Sequence, residues 1–259
     1  MENTIKRHYY IDVFRGIAFF LMAIDHLFYD IVALFSNYWD RYFPSTHYLN
    51  SVVELLKNYR QSDISGIIRF IFIAFVFISI SGVSSIFSKN NTKRGLRLFI
   101  ISIVLSLVTI ILSLIISDKS VIIYFGILHL ISVCMLLTNI FRKINKYVLF
   151  VIAILIIGLG IYFDGLIVST SLLIPFNIKP GFFVTADYYP ILPYMGFYIL
   201  GMLAGDWYFN ILKKPKYSKN YNNNIFTYFG QNTLIWYFLH QVIIVVFLVL
   251  FTLINLIFI

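Results

Sequence analysis

The stretch LRLFIISIVLSLVTIILSLIIS, Leu96–Ser117, carries no charged residue after Arg97. A helix rises 1.5 Å per residue and needs about 20 apolar residues to cross a hydrocarbon core about 30 Å thick, so this run predicts a membrane-spanning helix. Working outward, six further segments pass the same test: Ile11 to Phe35, Gly66 to Phe87, Val121 to Ile140, Tyr147 to Phe163, Ile191 to Leu212, and Phe226 to about Phe251. Phe226 to Ile259 is long for one span, so it tilts, projects or breaks. Composition agrees: 60% of the 259 residues are hydrophobic and 12% charged, against about 25% charged in a soluble domain. The reading is an all-α, polytopic transmembrane bundle of about seven spans forming a single domain over residues 1–259. It is expected in the cell membrane as a multi-pass protein.

Basic residues orient it. With the N-terminus cytoplasmic, the inner segments hold thirteen: Lys6, Arg7, Lys89, Lys93, Arg94, Arg97, Arg142, Lys143, Lys146, Lys213, Lys214, Lys216 and Lys219. The outer segments hold five, Arg41, Lys57, Arg60, Lys119 and Lys179. That asymmetry predicts a cytoplasmic N-terminus and, with an odd number of spans, an external C-terminus. The net charge of +9 would point to nucleic acid in a soluble protein, but here membrane lipids and the orientation rule account for it, and nucleic acid is excluded as a partner. Lys6 and Arg7 before an apolar run imitate a signal peptide; the run contains Asp25, His26 and Asp30 and lacks a cleavage pattern, so it reads as a retained first span. Cys134, the single cysteine, reads as a packing residue. Two long outer loops, Ser36 to Ser65 and Asp164 to Pro190, are rich in Tyr, Phe, Ser and Asn and suit binding.

Ionisable residues inside spans mark function by default. The first span holds Asp12, Arg15, Asp25, His26 and Asp30. Asp12 and Arg15 are three apart and pair on one face. His26 and Asp30 are four apart, so the carboxylate is placed to orient the imidazole and raise its basicity. Counting residues from the outer helix ends puts His26 about 13 Å, His129 about 12 Å and His240 about 10 Å deep. Three histidines on three helices at one level predict a shared polar cavity in the outer half of the membrane. A buried hydrogen-bond network holding the bundle together, and a tris-histidine metal site, are the competing readings; no metal is expected, for want of a second shell. Arg69 either snorkels to the outer interface or faces the cavity mouth. Ser79, Ser81 and Gly82 permit close helix packing. Lys93, Arg94 and Arg97, with Arg15, suit an anionic cytosolic ligand bearing phosphates.

Several motifs, in order, resemble one family. Tyr9 to His26 (YYIDVFRGIAFFLMAIDH), Phe77 to Ser84 (FISISGVS), Lys93 to Leu98 (KRGLRL), Phe125 to Ile131 (FGILHLI) and Phe229 to Gln241 (FGQNTLIWYFLHQ) are similar to the heparan-alpha-glucosaminide N-acetyltransferase-like membrane proteins. The resemblance implies transfer of an acyl group, usually acetyl, from cytosolic acetyl-CoA to a hydroxyl or amine of an extracytoplasmic sugar or glycolipid acceptor, and it admits a homodimer. It makes Asp12, Arg15, His26, His129 and His240 site residues. Animal lysosomal members place their key histidine in the loop after the first helix, where this chain has His47 in different surroundings.

The two lines of reading combine into one expected mechanism. Arg15 and the Lys93–Arg94–Arg97 cluster hold the CoA phosphates, and His26, oriented by Asp30, acts as general base or attacks the thioester itself. His129, His240 and Arg69 stabilise the oxyanion or position the acceptor. A buried His/Asp set also suits a proton-coupled transporter or small-molecule exporter. The repeated halves and paired Gly/Pro breaks common in transporters are not evident, which places that reading second.

Overall fold

The computed structural model describes residues 7–44, 47–213 and 221–257; of the basic residues counted above, Lys6, Lys214, Lys216 and Lys219 lie outside them. The chain divides into two compact units, one built from residues 1–77 and 217–259, the other from 78–216.

In the first unit, helix α1 (Tyr9–Asp30) runs through a π-helical turn, Ile31–Phe35, into α2 (Ser36–Tyr42). The wide turn has a local cause: Ser36 Oγ donates to the Val32 carbonyl at 2.7 Å, engaging a backbone acceptor of the turn before it. Helix α3 (Tyr48–Gln61) starts at His47, whose Nδ1 accepts from the Leu49 N–H at 3.4 Å, so the histidine of this loop serves as a helix cap. Helix α4 (Asp63–Ile68) continues through a second π-helical stretch, Arg69–Val76, and there the chain passes into α5 (Phe77–Ser85), which belongs to the second unit from Ile78 on. Ile31, Trp39, Phe43, Leu49, Val53, Leu56 and Leu248 form this unit's core. Trp39 buries its ring there because its Nε1–H finds Thr252 Oγ1 at 2.9 Å.

The second unit packs α6 (Asn91–Ile116) on α7 (Ile127–Phe141), and α8 (Lys146–Phe163) on α9 (Ile191–Asp206). Asn90 caps α6 by accepting from the Lys93 N–H, and Asn145 caps α8 through the Tyr147 N–H, both at 2.9 Å. Phe141, Leu149, Ala153, Ile199 and Met202 form the core, and Thr138 and Tyr198 share a buried hydroxyl contact at 2.8 Å. Between α8 and α9 a short parallel pair, β1 (Ile167–Val168) with β2 (Lys179–Pro180), orders the loop. On α6 the side chains of Ile100, Val104, Leu107, Ile111 and Leu114 are all more than half exposed, an apolar face that only lipid solvates well.

Every predicted span contains helix, but the spans are not equivalent. Among the described residues five helical segments are long and apolar enough to cross a membrane: Tyr9–Tyr42, Asp63–Ser85, Asn91–Ile116, Lys146–Phe163 and Thr233–Ile257. The predicted Val121–Ile140 span shortens to the fifteen residues of α7, because residues 122–126 run extended, their Ile122 and Phe125 carbonyls accepting from the Ala186 and Tyr189 N–H groups. The predicted Ile191–Leu212 span is α9 followed by a π-helical turn, Trp207–Ile211. The last predicted span breaks at Asn232, giving α10 (Ile225–Gln231) and α11 (Thr233–Ile257).

Candidate functional site

Two of the three predicted histidines meet in the first unit. The rings of His26 on α1 and His240 on α11 lie 5.0 Å apart, centre to centre, at 79°. Each is fixed by its own helix. His26 Nδ1 is 2.9 Å from the Met22 carbonyl; His240 Nδ1 is 2.7 Å from the Tyr237 carbonyl and 3.2 Å from that of Trp236. A carbonyl only accepts, so in both rings Nδ1 carries the hydrogen and Nε2 is the basic nitrogen. The His240 Nε2 is buried and has no hydrogen-bond partner among the described residues, a lone pair of the kind that native interiors rarely leave without a task. Phe19 and Tyr237 pack on the His240 ring, both with centres at 5.9 Å, while His26 remains half-buried and approachable.

The carboxylates divide differently from the expected pairing. Asp30 is 1% exposed and its Oδ2 accepts from Gln241 Nε2 at 2.7 Å, a tie between α1 and α11 one residue from His240. The tautomer of His26 is thus set by the backbone of Met22, and Asp30 instead fixes the seating of the helix that carries His240. The cationic partners belong to Asp25: Arg60 reaches its Oδ1 at 3.2 Å and its carbonyl at 3.1 Å, and Arg69 reaches Oδ1 at 3.6 Å. Arg60 also stacks over Tyr29 at 5.0 Å. Two guanidiniums on one carboxylate leave a surplus positive charge one residue from His26 in sequence.

Asp12 and Arg15 pair as expected, at 3.5 Å, and Arg7 adds a second cation at 3.8 Å. Asp12 is buried, and its Oδ2 accepts from Tyr221 Oη at 2.8 Å, which in turn accepts from Gln231 Nε2 at 2.8 Å. Burial first, and donation to Asp12 second, push the Tyr221 phenol up to about 12, so it stays a donor at any physiological pH. Arg15 Nη1 donates to the Gly230 carbonyl at 3.3 Å. This network fastens α1 to α10, which gives Asp12 and Arg15 a structural duty. Lys93, Arg94 and Arg97 sit exposed at the start of α6 in the second unit.

His129 also belongs to the second unit, and its ring is fully occupied. The Gly126 N–H donates to Nδ1 at 3.2 Å, leaving Nε2–H to donate to Ser106 Oγ at 3.2 Å; Ser106 passes its own hydrogen to the Ile123 carbonyl at 2.7 Å. With Asp187 Oδ2 accepting from the Ile127 N–H at 2.9 Å, the imidazole caps α7 as a neutral ring. His129→Ala should therefore lower stability by about 1–2 kcal/mol, the worth of a lost cap and its orphaned partners. Any activity that depends on the histidine pair should, per folded molecule, stay within about threefold of the parent, well under a catalytic contribution. Thermal melting in detergent beside single-turnover assays checks this; a collapsed rate at unchanged melting temperature would refute the cap. Among the described residues no group of three or more His, Cys, Asp or Glu is placed to hold a metal ion.

Comparison with known proteins places this geometry in context. The family model described as heparan-alpha-glucosaminide N-acetyltransferase, catalytic, matches residues 46–242. That range includes Arg60, Arg69, His129, His240 and Gln241 and begins beyond α1, whose Tyr9–His26 motif carried the sequence resemblance. No curated protein and no solved structure matches the chain.

Proposed function

Because the chain belongs to the heparan-alpha-glucosaminide N-acetyltransferase catalytic family, a family of membrane acetyltransferases, we propose that it moves an acetyl group from cytosolic acetyl-CoA to a hydroxyl or amine of an extracytoplasmic sugar or glycolipid. One observation carries the reading: two imidazoles in face-to-edge contact, both presenting Nε2, one of those nitrogens buried and without a hydrogen-bond partner among the described residues. The proposed setting is the cell membrane, with a cytoplasmic N-terminus, on the distribution of basic residues, and the basic start of α6 towards the donor.

In the proposed reaction the acceptor oxygen or nitrogen attacks the thioester carbonyl while His26 Nε2 takes its proton. The C–S bond breaks, and the leaving thiolate of CoA recovers the proton from the imidazolium. His240 supports the charge that develops beside it, and Asp30 with Gln241 holds its helix in place. In the two-step form Nε2 attacks the thioester first and the C–S bond breaks to release CoA thiolate, leaving an acyl-imidazolium; the acceptor then attacks that acyl carbon, the N–C bond breaks to free Nε2, and the acceptor's proton passes to the thiolate. Lys93, Arg94 and Arg97 are the proposed cations for the CoA phosphates. Arg60 and Arg69 supply donors to the acceptor, since Asp25 occupies only part of their N–H set.

Purified protein incubated with acetyl-CoA carrying a labelled acetyl group tests this. The expected result is protein-dependent release of free CoA thiol together with label on a sugar acceptor. Label that stays on the protein without acceptor and is removed by hydroxylamine selects the two-step form. A protein that leaves acetyl-CoA untouched with every acceptor tried, and moves a solute against a proton gradient, would replace the enzyme by a transporter.

A further inference from the structure

The second unit contains a half-open pocket of about 330 Å³ that the transfer reaction does not use. It lies where α7 ends, α8 begins and α9 ends. Its lining is polar at Arg142, Lys146 and Asp206, and apolar at the half-buried Ile86, Ile144 and Leu203 above the core residues Phe141, Leu149 and Met202. Lys146 Nζ and Asp206 Oδ2 pair at 2.5 Å, and Asn210 donates to Asp206 Oδ1 at 2.7 Å, so both carboxylate oxygens are engaged. Arg142 Nη2 donates to the Ser85 carbonyl at 2.6 Å. A guanidinium has five N–H donors, so one carbonyl leaves most of its donor capacity available, and two cations against one carboxylate leave the rim net positive.

The depth of the pocket is marked by its neighbours in the chain. Tyr147, next to Lys146, is 84% exposed, and Trp207 and Tyr208, directly after Asp206, are 54% and 41% exposed. Large exposed aromatic rings with a polar tip collect at the headgroup level of a bilayer. The same end of the unit presents Lys93, Arg94 and Arg97, tied to the end of α7 through the Asn139–Thr92 contact at 2.9 Å. A positive rim over an apolar wall at headgroup depth complements an anionic headgroup joined to an acyl chain, more closely than it complements a water-soluble anion, for which the apolar wall has no use.

We propose that this pocket is a binding site for an anionic phospholipid, with the phosphate held between Arg142 and Lys146 and the first part of an acyl chain on Ile86, Ile144 and Leu203. The site is distinct from the histidine pair, which belongs to the other unit, and does not depend on the transferase reading.

The test uses the full-length protein in a neutral detergent and reads melting temperature and retained lipid by native mass spectrometry. Dioctanoyl phosphatidylglycerol should raise the melting temperature and stay bound, whereas dioctanoyl phosphatidylcholine, with the same tails and no net charge, should do neither. Glycerol phosphate alone should also fail. Lys146→Ala, a partly exposed position that folding should tolerate, and Arg142→Gln should each weaken phosphatidylglycerol binding by about tenfold, one charge-assisted contact. Lys179→Ala, in the loop before α9, should change nothing. Equal stabilisation by both lipids, undiminished binding in both rim variants, or occupation by free CoA in preference to phosphatidylglycerol would each overturn the proposal.

Discussion

His26→Ala, inserted and folded like the parent, should lose about 10³-fold in kcat for acyl transfer, within the range that a positioned general base contributes. The side chain is half-buried on α1 and, among the described residues, hydrogen-bonds to the Met22 carbonyl of its own helix. Removing it orphans no distant partner and should move the melting temperature little. His240→Ala should cost about 10²-fold, less because its buried Nε2 acts on the reaction beside the base. The double variant should be no slower than the worse single one, since groups that act as a unit are not additive. Free imidazole should restore part of the rate to His26→Ala, because the hole left by the ring opens to the half-buried face, and little to His240→Ala. Full transfer by a folded His26→Ala protein would remove the base from this site and the proposed mechanism with it.

How much of this was readable in advance depended on range. Helix existence is written locally, and runs such as Leu96–Ser117 and Tyr147–Phe163 became helices with ends close to those expected. The convergence of His26 and His240 was also foreseeable, because counting residues from helix ends fixes depth, and depth is half of proximity. For His129 depth alone was not enough. It gave the right helix, but nothing in FGILHLI distinguishes a ring aimed at a cavity from one folded back onto the amide of Gly126, and only the cap geometry decides. The i,i+4 spacing of His26 and Asp30 predicted a contact that the structure gives instead to the His26 ring and Met22, and to Asp30 and Gln241. On a helix the i−4 carbonyl competes for the same imidazole hydrogen and is always in reach. Arg60 was missed entirely. It lies 35 residues from Asp25 on α3, a helix placed by tertiary packing, and no local spacing announces such a pair. Gln241 stood inside the FGQNTLIWYFLHQ motif beside His240, and asking which polar neighbour a buried carboxylate needs would have found it.

The second large effect is expected at a crossing of two backbones. A Cβ on Gly16 would lie 1.9 Å from the Phe226 carbonyl oxygen, and a Cβ on Gly230 would lie 1.8 Å from the Asp12 carbonyl oxygen. Both obstacles are main chain, so no side chain can turn aside; α1 and α10 must separate. Gly16→Ala and Gly230→Ala should each cost about 3 kcal/mol, the upper range for overpacking a close contact. Activity should fall beyond what the lost stability explains. His26 is ten residues along from Gly16 and His240 ten along from Gly230, so displacing α1 from α10 shifts two rings whose centres are 5.0 Å apart, and a misplacement near 1 Å costs about 10²-fold. Gly158→Ala is the control: a Cβ there meets nothing within 4 Å, and alanine should stabilise the middle of α8 by about 0.5–1 kcal/mol. Melting temperature and kcat measured on all three variants in one detergent separate the outcomes. Parental melting in both crossing variants would mean that α1 and α10 do not meet through these glycines, and the register that brings the imidazoles together would need another origin.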